Sequence, residues 1–305
     1  MGWQSEDNLR WLGGLAGVMR DHPLARHTSL GVGGRADFLV EVTSTQVLLE
    51  LVEACSGRGI PYLILGAGTN LLVADAGVEG LVMLCRARSH RIEGELLRAD
   101  AGLRMMRLAR ISAQAGLTGL EWAVGVPGTV GGAVYQNAGC WGGDMSQVLE
   151  RVQGWAPGLG LREWTASELE LGYRTSALRS GSLSGAVVLS ATLRLSPGDP
   201  EAAQARMAAF LLERRRTQPL KQRSCGSVFR NPDRDSAGRL IEAAGMRGEI
   251  EGGAAVSSQH ANFIINRSGA SAADVDRLIR RVQAAVLERI GVELEPEVER
   301  VGRWT

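Results

Sequence analysis

The period of the hydrophobic positions changes several times along this chain, and each change marks an element. Residues 8–20 carry apolar positions at helical spacing and predict a short helix ahead of His22-Pro23-Leu24. The next run, ADFLVEV at 36–42, alternates apolar and polar as a half-buried strand does. Residues 44–56 place Val47, Leu48, Leu51, Val52 and Cys55 at helical spacing, Gly57 and Gly59 end that run, and PYLIL at 61–65 predicts a buried strand. The three make a β-α-β unit of about 30 residues, the usual size for one. Short strands are predicted at 71–73, 80–84, 90–93 and 95–99, followed by a helix at 103–115.

Further on, residues 148–156, 160–164 and 186–195 are strand-like, and Pro197-Gly198-Asp199-Pro200 interrupts the pattern as a candidate linker. A helix at 201–216 presents Met207, Phe210 and Leu211 on one face. Residues 219–232 predict a loop, 239–244 a helix, 254–256 and 263–265 strands, and 297–301 a final strand. Between them a helix at 272–290 runs from an N-cap at Ser271 to a stop at Gly291. The mixture is that of an α+β protein, divided on this reading into 1–80, 81–198 and 199–305.

Between the periodic segments lies GLEWAVGVPGTVGGAVYQNAGCWGG, residues 119–143, with glycine at 119, 125, 128, 131, 132, 139, 142 and 143. Glycine loses the most conformational entropy on ordering, so this density makes sense where backbone must lie close against something. A mobile linker would be polar, whereas Trp122, Val124, Val126, Pro127, Val130, Val134, Tyr135 and Trp141 fill the spaces here. A second glycine loop, Gly66-Ala67-Gly68-Thr69-Asn70, follows the 61–65 strand. It offers backbone N–H groups, a hydroxyl and an amide to a phosphate. Gly31-Val32-Gly33-Gly34-Arg35-Ala36 satisfies the dinucleotide pattern G-x-G-x-x-[GA] but leads into a strand, so it reads as a tight turn. No G-K-[ST] follows either loop, which excludes a P-loop NTPase. Two glycine loops beside strands suggest a pyrophosphate-containing cofactor cradled by backbone.

Composition narrows the partners. The net charge of +1 without a basic run leaves no footprint for nucleic acid, and Lys221 is the single lysine among 34 cations. Cys55, Cys85, Cys140 and Cys225 form no CxxC or Cys/His pair, so neither disulfides nor a metal are expected. The N-terminal residues lack a signal pattern, and no stretch reaches the roughly 18 apolar residues of a membrane span, so a soluble, cytoplasmic protein is expected. A monomer is expected as a separate reading.

With both loops in place the chain resembles the UDP-N-acetylenolpyruvoylglucosamine reductase family. The resemblance is carried by HTSLGVGGRADFLV (27–40), LGAGTNLLV (65–73), the 119–143 stretch, GYRTSAL (172–178), CGSVFRNP (225–232), SSQHANFIIN (257–266) and GVELEPEVERVG (291–302). It implies two FAD-binding subdomains of the vanillyl-alcohol-oxidase type and a C-terminal α/β substrate domain. It also implies an NADPH-dependent flavoenzyme that reduces the enolpyruvyl ether of a UDP-sugar to a lactyl ether in peptidoglycan precursor synthesis. The alternative is another FAD-dependent oxidase or dehydrogenase of the same fold acting on an alcohol.

The resemblance assigns Arg174 to the developing enolate, where a planar, permanently charged guanidinium suits a carboxylate. Ser227 matches the proton donor, and Glu297 the glutamate that assists at the enolate carboxylate. The cofactor set is Gly66, Ala67, Gly68, Thr69, Asn70, Gly125, Val126, Pro127, Gly128, Thr129, Gly131, Gly132, Asn137, Ala138 and Gly139. Tyr173 lines the substrate site, and Asn231 reads either as a diphosphate contact or as a turn amide before Pro232. His260 reads as a structural histidine or, less simply, as a general acid. Between Arg174 and Ser227 the chain has no tyrosine, which places it in the branch without a tyrosine-bearing closing loop. Gln218 stands where some members carry a basic substrate contact, with Lys221 and Arg223 as candidate substitutes.

Overall fold

In the computed structural model, which describes residues 2–183 and 185–304, the chain forms two compact units built from segments distant in sequence. The first comprises Met1–Val18, Leu39–Ala67 and Leu81–Arg214; the second comprises Met19–Phe38, Gly68–Gly80 and Arg215–Thr305.

The first unit is built on an antiparallel sheet in the order Gly160–Thr165, Leu149–Ala156, Val187–Arg194, Leu96–Asp100, His90–Glu93. The central strand, VVLSATLR, is buried at every position but the last, as a strand covered on both faces must be. The edge strand GLREWT, which pairs with Leu149–Ala156, buries only Trp164. The helix Thr45–Gly57 is capped by Ser44, whose Oγ accepts from the Val47 N–H at 3.2 Å, and it buries Leu48, Leu51, Val52 and Cys55. Strand Tyr62–Leu65 then pairs in parallel with residues 81–84.

Three expectations are corrected in this unit. The first helix stops at Gly13, and Met19–Pro23 is a strand of the second unit. Gly13 and Gly14 each disfavour helix by about 1 kcal/mol, and Gly17 takes the left-handed conformation at φ 72°. The 197–200 segment is no free linker: Ser196–Pro197 pairs with Leu117–Thr118, and the Gly198 N–H bonds the Gly116 carbonyl at 2.8 Å. The helix Pro200–Thr217 buries only Ala203 and Met207 rather than a full apolar face. It is fastened at points instead. Arg206 donates to Glu121 Oε1 at 2.6 Å and to Thr118 Oγ1 at 2.8 Å, and Phe210 stacks on Trp141 with centroids 4.6 Å apart.

The second unit has a four-stranded antiparallel sheet ordered Arg223–Ser227, Phe263–Asn266, Ala254–Val256, Ile250–Glu251. Arg223–Ser227 lies inside the segment predicted as loop; its sequence, RSCGS, carries too little apolar alternation to announce a strand. The helix Ala272–Ile290 buries Val275, Leu278, Ile279, Val282 and Val286 in a core shared with Phe229, Leu240 and Ile241. Each such side chain, fully buried, is worth about 1.5–3 kcal/mol. The helix begins in a capping box between Ser271 and Asp274 and ends at Gly291 with φ 78°. The Asp75 carboxylate accepts from the N–H groups of Ala272 and Ala273 at 2.8 and 2.9 Å, tying residues 68–80 to this helix. Glu299–Val301 pairs in parallel with Leu71–Val73.

Candidate active site

In the first unit the start of the 66–70 loop meets the 125–132 segment, while Gly68, Thr69 and Asn70 belong to the second unit. A Cβ on Gly66 would stand 2.4 Å from Thr129 Oγ1, so only glycine allows the end of the Tyr62–Leu65 strand to lie against the 125–132 segment. That segment is laced to residues 101–105: Met105 N–H bonds Gly128 O, Val130 N–H bonds Leu103 O, and Gly131 N–H bonds Ala101 O. Ala67, Val126, Pro127 and Gly132 belong to the same two segments, and at Gly132 an added Cβ would find no atom nearer than 3.9 Å.

Three glycines of the long stretch make room for the protein's own groups. Cβ atoms at Gly125 and Gly143 would fall 2.1 Å and 2.2 Å from the rings of Trp141 and Trp122, and one at Gly139 would meet Asp144. Trp141 and Gly142 turn the short hairpin of Gly139–Cys140 and Gly143–Asp144 with φ of 51° and 81°, the left-handed pair a two-residue hairpin turn needs.

Cations missed in the sequence border this region. Arg86 Nη1 donates to the Gly66 carbonyl at 3.0 Å, and Arg104 Nη1 to the Pro127 carbonyl at 3.1 Å. Burial, together with repulsion from Arg88 and Arg104, holds the Arg86 pKa below the ordinary arginine value. An anion bound among these groups would relieve that. In a chain with some thirty arginines, composition could not single these out.

Arg174 is also in the first unit, in a tight turn closed by paired bonds between Gly172 and Thr175 at 3.1 and 3.2 Å. Its φ is 55°, its guanidinium Nη2 donates to the Gly139 carbonyl at 2.6 Å, and it lies over the Tyr173 ring at 5.1 Å. Tyr173 itself is 54% exposed. The catalytic arginine expected from the sequence thus rests on the C-terminal part of the glycine stretch. Asn137 and Ala138, expected at the cofactor, are buried there; Asn137 spans from Ser146 N–H to the Gly172 carbonyl.

The second unit brings Ser227 and Glu297 together. Ser227 pairs with Phe263 beyond an irregularity in which the chain from Ser224 spends one residue more than its partner strand, with Gly226 at φ 83°. Such a bulge turns the following side chain. Glu297 N–H then bonds the Val228 carbonyl at 2.7 Å, and Phe229 bridges Pro296, so the two catalytic candidates lie on adjacent segments. Asn70 joins them: its Nδ2 donates to the Glu297 carbonyl at 3.0 Å, and its own carbonyl accepts from Glu299. Gly68, with Thr69 between it and Asn70, has φ 62° and lies so close to the His27 carbonyl that any Cβ would collide at 2.0 Å. Beside Ser227, burial pushes the Cys225 thiol up to about 12, so it is no nucleophile at neutral pH.

Asn262 is a residue the sequence reading passed over. It is 3% exposed, accepts from Phe229 N–H at 2.9 Å and donates to the Phe229 carbonyl at 2.8 Å, while its own carbonyl accepts from Val228. An amide inside the apolar run HANFIIN was the available signal. Asn231 Oδ1 accepts from Ala237 N–H at 3.0 Å, where the helix Ala237–Ala243 starts. His260 Nδ1 accepts from Asn262 N–H at 3.2 Å, its ring packs on Phe263, and burial holds its pKa below the usual value, all of which suits a neutral structural imidazole. Among the described residues no cluster of three or more metal-ligating side chains occurs. A cavity of about 290 Å³ in the first unit, lined by Arg110, Val124, Met207 and Leu211 among others, contains none of the expected site residues.

Comparison with known proteins identifies what this arrangement serves. Residues 36–156 match the FAD binding domain, which with the two glycine segments makes the chain a flavin-dependent oxidoreductase. Residues 218–301, with Ser227 and Glu297, match the UDP-N-acetylenolpyruvoylglucosamine reductase C-terminal domain. The chain is 47% identical over 294 residues to the UDP-N-acetylenolpyruvoylglucosamine reductase of Synechococcus sp. (strain RCC307), covering 93% of this chain and 94% of that one. It is 45% identical to the reductase of Rubrobacter xylanophilus, covering 92% and 94%. The crystal structure of the Thermus caldophilus enzyme superposes with a TM-score of 0.78 at 37% identity, over 93% of this chain and 98% of that one. The chain belongs to the UDP-N-acetylenolpyruvoylglucosamine reductase family.

The residues present fit FAD. A diphosphate needs close backbone and positive charge, and Gly66 against Thr129 with Arg86 and Arg104 bonded to the same two segments supplies both.

Proposed function

We infer that this chain reduces the enolpyruvyl ether of UDP-N-acetylglucosamine enolpyruvate to UDP-N-acetylmuramate, with NADPH as reductant, in peptidoglycan precursor synthesis. Its place is the cytoplasm, where it acts as a monomer. The observation that carries this reading is the reductase C-terminal domain, holding Ser227 next to Glu297, in a chain that also has the FAD binding domain. When bound, FAD supplies the two electrons that leave NADPH and reach the double bond.

The protein's own residues handle charge and protons. Reduction at the carbon remote from the carboxylate leaves negative charge on the carbon that bears it, delocalised into the carboxylate. Arg174 binds that developing dianion, and an always-charged planar cation needs no proton transfer to do so. Glu297, protonated, donates a hydrogen bond to the same group. The Ser227 hydroxyl gives its proton to the adjacent carbanionic carbon, which is basic enough to take a proton from so weak an acid. The net change is NADPH, a proton and the enolpyruvyl ether giving NADP⁺ and the lactyl ether. For the diphosphate of the UDP moiety, Lys221, Arg223 and Asn231 are the candidate contacts, with Gln218 standing where some family members carry a basic one.

The test separates the two half-reactions. The purified protein should be yellow, bleach with NADPH and recolour with the enolpyruvyl UDP-sugar. Ser227→Ala should bleach at close to the normal rate and recolour roughly 10²–10⁴-fold more slowly. Equal slowing of both steps would make Ser227 structural, and bleaching without any recolouring of the parent protein would remove the substrate assignment.

A further inference from the structure

The turn that carries Arg174 has an energetic oddity: arginine occupies the left-handed region at φ 55°, which side chains with a Cβ avoid unless their surroundings impose it. The structure shows what imposes it. Arg179 Nη1 donates to the Arg174 carbonyl at 2.6 Å, fixing the peptide plane that follows the strained residue. Asn137 Nδ2 donates to the Gly172 carbonyl at 2.8 Å, fixing the start of the same turn. Asn137 is 2% exposed and is itself left-handed at φ 45°, and its Oδ1 is engaged by Ser146 N–H at 2.9 Å, so its amide orientation is set from the far side. Ser176, 1% exposed, completes the frame by donating to the Tyr135 carbonyl at 2.5 Å. The guanidinium that emerges from this frame rests on the Gly139 carbonyl.

We propose that Arg179 and Asn137 are positioning residues that hold the Gly172–Thr175 turn so that the Arg174 guanidinium stands ready at Gly139 before substrate arrives. This rests on the reading of Arg174 as the group that meets the developing enolate. A flexible arginine would have to be ordered at each turnover, whereas one held in advance acts without that reorganisation. The direction of the bonds explains the residue types. The Gly172 and Arg174 carbonyls each accept a side-chain bond, and a carboxamide and a guanidinium supply those donors without adding a negative charge beside Arg174. The proposal also accounts for a buried amide inside the glycine stretch, since Asn137 links that stretch to the Arg174 turn.

The experiment uses the FAD-loaded full chain and rapid mixing. In Arg179→Ala, bleaching by NADPH, flavin content and flavin spectrum should stay within about twofold of the parent, while recolouring by the enolpyruvyl UDP-sugar slows about 10²-fold. Arg179→Lys, which keeps a donor, should recover most of that loss, and Asn137→Asp, which removes the donor to Gly172, should reproduce it. In an Arg174→Ala background, Arg179→Ala should cost nothing further. Unchanged recolouring in Arg179→Ala overturns the proposal, and so does an equal extra loss in the Arg174→Ala background. If Arg174→Ala alone recolours normally, the enolate role of Arg174 fails. Amide exchange at Thr175 then still decides whether Arg179 holds the turn: exchange about tenfold faster in Arg179→Ala is expected, and unchanged exchange overturns it. Arg179→Lys and Asn137→Asp carry the same measurements if Arg179→Ala does not fold.

Discussion

Arg174 and Ser227 take their directions from backbone irregularities, a left-handed arginine in one unit and a bulge at Gly226 in the other. At this scale the residue types were legible before their surroundings were. An arginine for a carboxylate, a hydroxyl for a carbanion and a glutamate to assist are the residue types the proposed chemistry asks for, once the motifs select positions. What held them in place was not legible, because Asn262, Arg179 and Asn70 act through backbone carbonyls and amides, for which many polar residues would serve equally in sequence. His260 gives a prediction of its own. Its folded pKa lies below the ordinary imidazole value of about 6.5, so the neutral form stabilises the fold above that pH. As pH falls below about 6.5 the unfolded chain takes up the proton first, and this contribution is lost progressively toward the folded pKa. Denaturant titrations at pH 7.5 and 5.5 should show a loss that His260→Gln reduces; equal losses in both proteins would refute the assignment.

Among the elements, the 119–143 stretch was read from its glycines as backbone laid against a ligand, and part of it lies instead against tryptophans. Trp122 and Trp141 occupy the space beside Gly143 and Gly125, and Trp141 passes the connection on to Phe210 of the Pro200–Thr217 helix. Glycine density signals close approach without naming the partner, which is why tertiary packing had to decide it. The strand Arg223–Ser227 escaped the sequence reading for a related reason: it pairs along one side and carries polar and small residues, so no period of two emerges. The long helix Ala272–Ile290, by contrast, was legible to its boundaries, because cap, apolar stripe and terminal glycine agree. Its Asp75 cap comes from a segment about 200 positions earlier. Asp75→Ala should cost about 1 kcal/mol through the lost cap bonds and the helix dipole, since the aspartate is exposed. A denaturation midpoint unchanged from the parent would count against that role.

Over the whole molecule, both units are interleaved in sequence, and 68–80 belongs with the C-terminal residues through Asp75, Asn70 and the Glu299–Val301 pairing. A ligand that binds the folded protein and not the unfolded chain adds RT ln(1 + [L]/Kd), about 2.7 kcal/mol at a hundredfold excess over Kd. Stripped of flavin, the protein should therefore melt at a lower temperature and regain stability as FAD is titrated in. A melting temperature indifferent to FAD would argue against the cradle of Gly66, Thr129, Arg86 and Arg104. No helix among the described residues is long and apolar enough to cross a membrane, in keeping with the hydropathy of the sequence.

The sequence by itself determined most of the elements and the two glycine segments, and it nominated Arg174, Ser227 and Glu297, because periodicity, turn chemistry and motif order are properties of neighbouring residues. Tertiary structure decided what those segments touch. Ser227 lies beside Glu297, Arg174 rests on Gly139 and Gly66 meets Thr129 only because hydrogen bonds and packing join positions 35 to 70 residues apart. Contacts over such separations depend on the whole chain closing, and no local pattern encodes them.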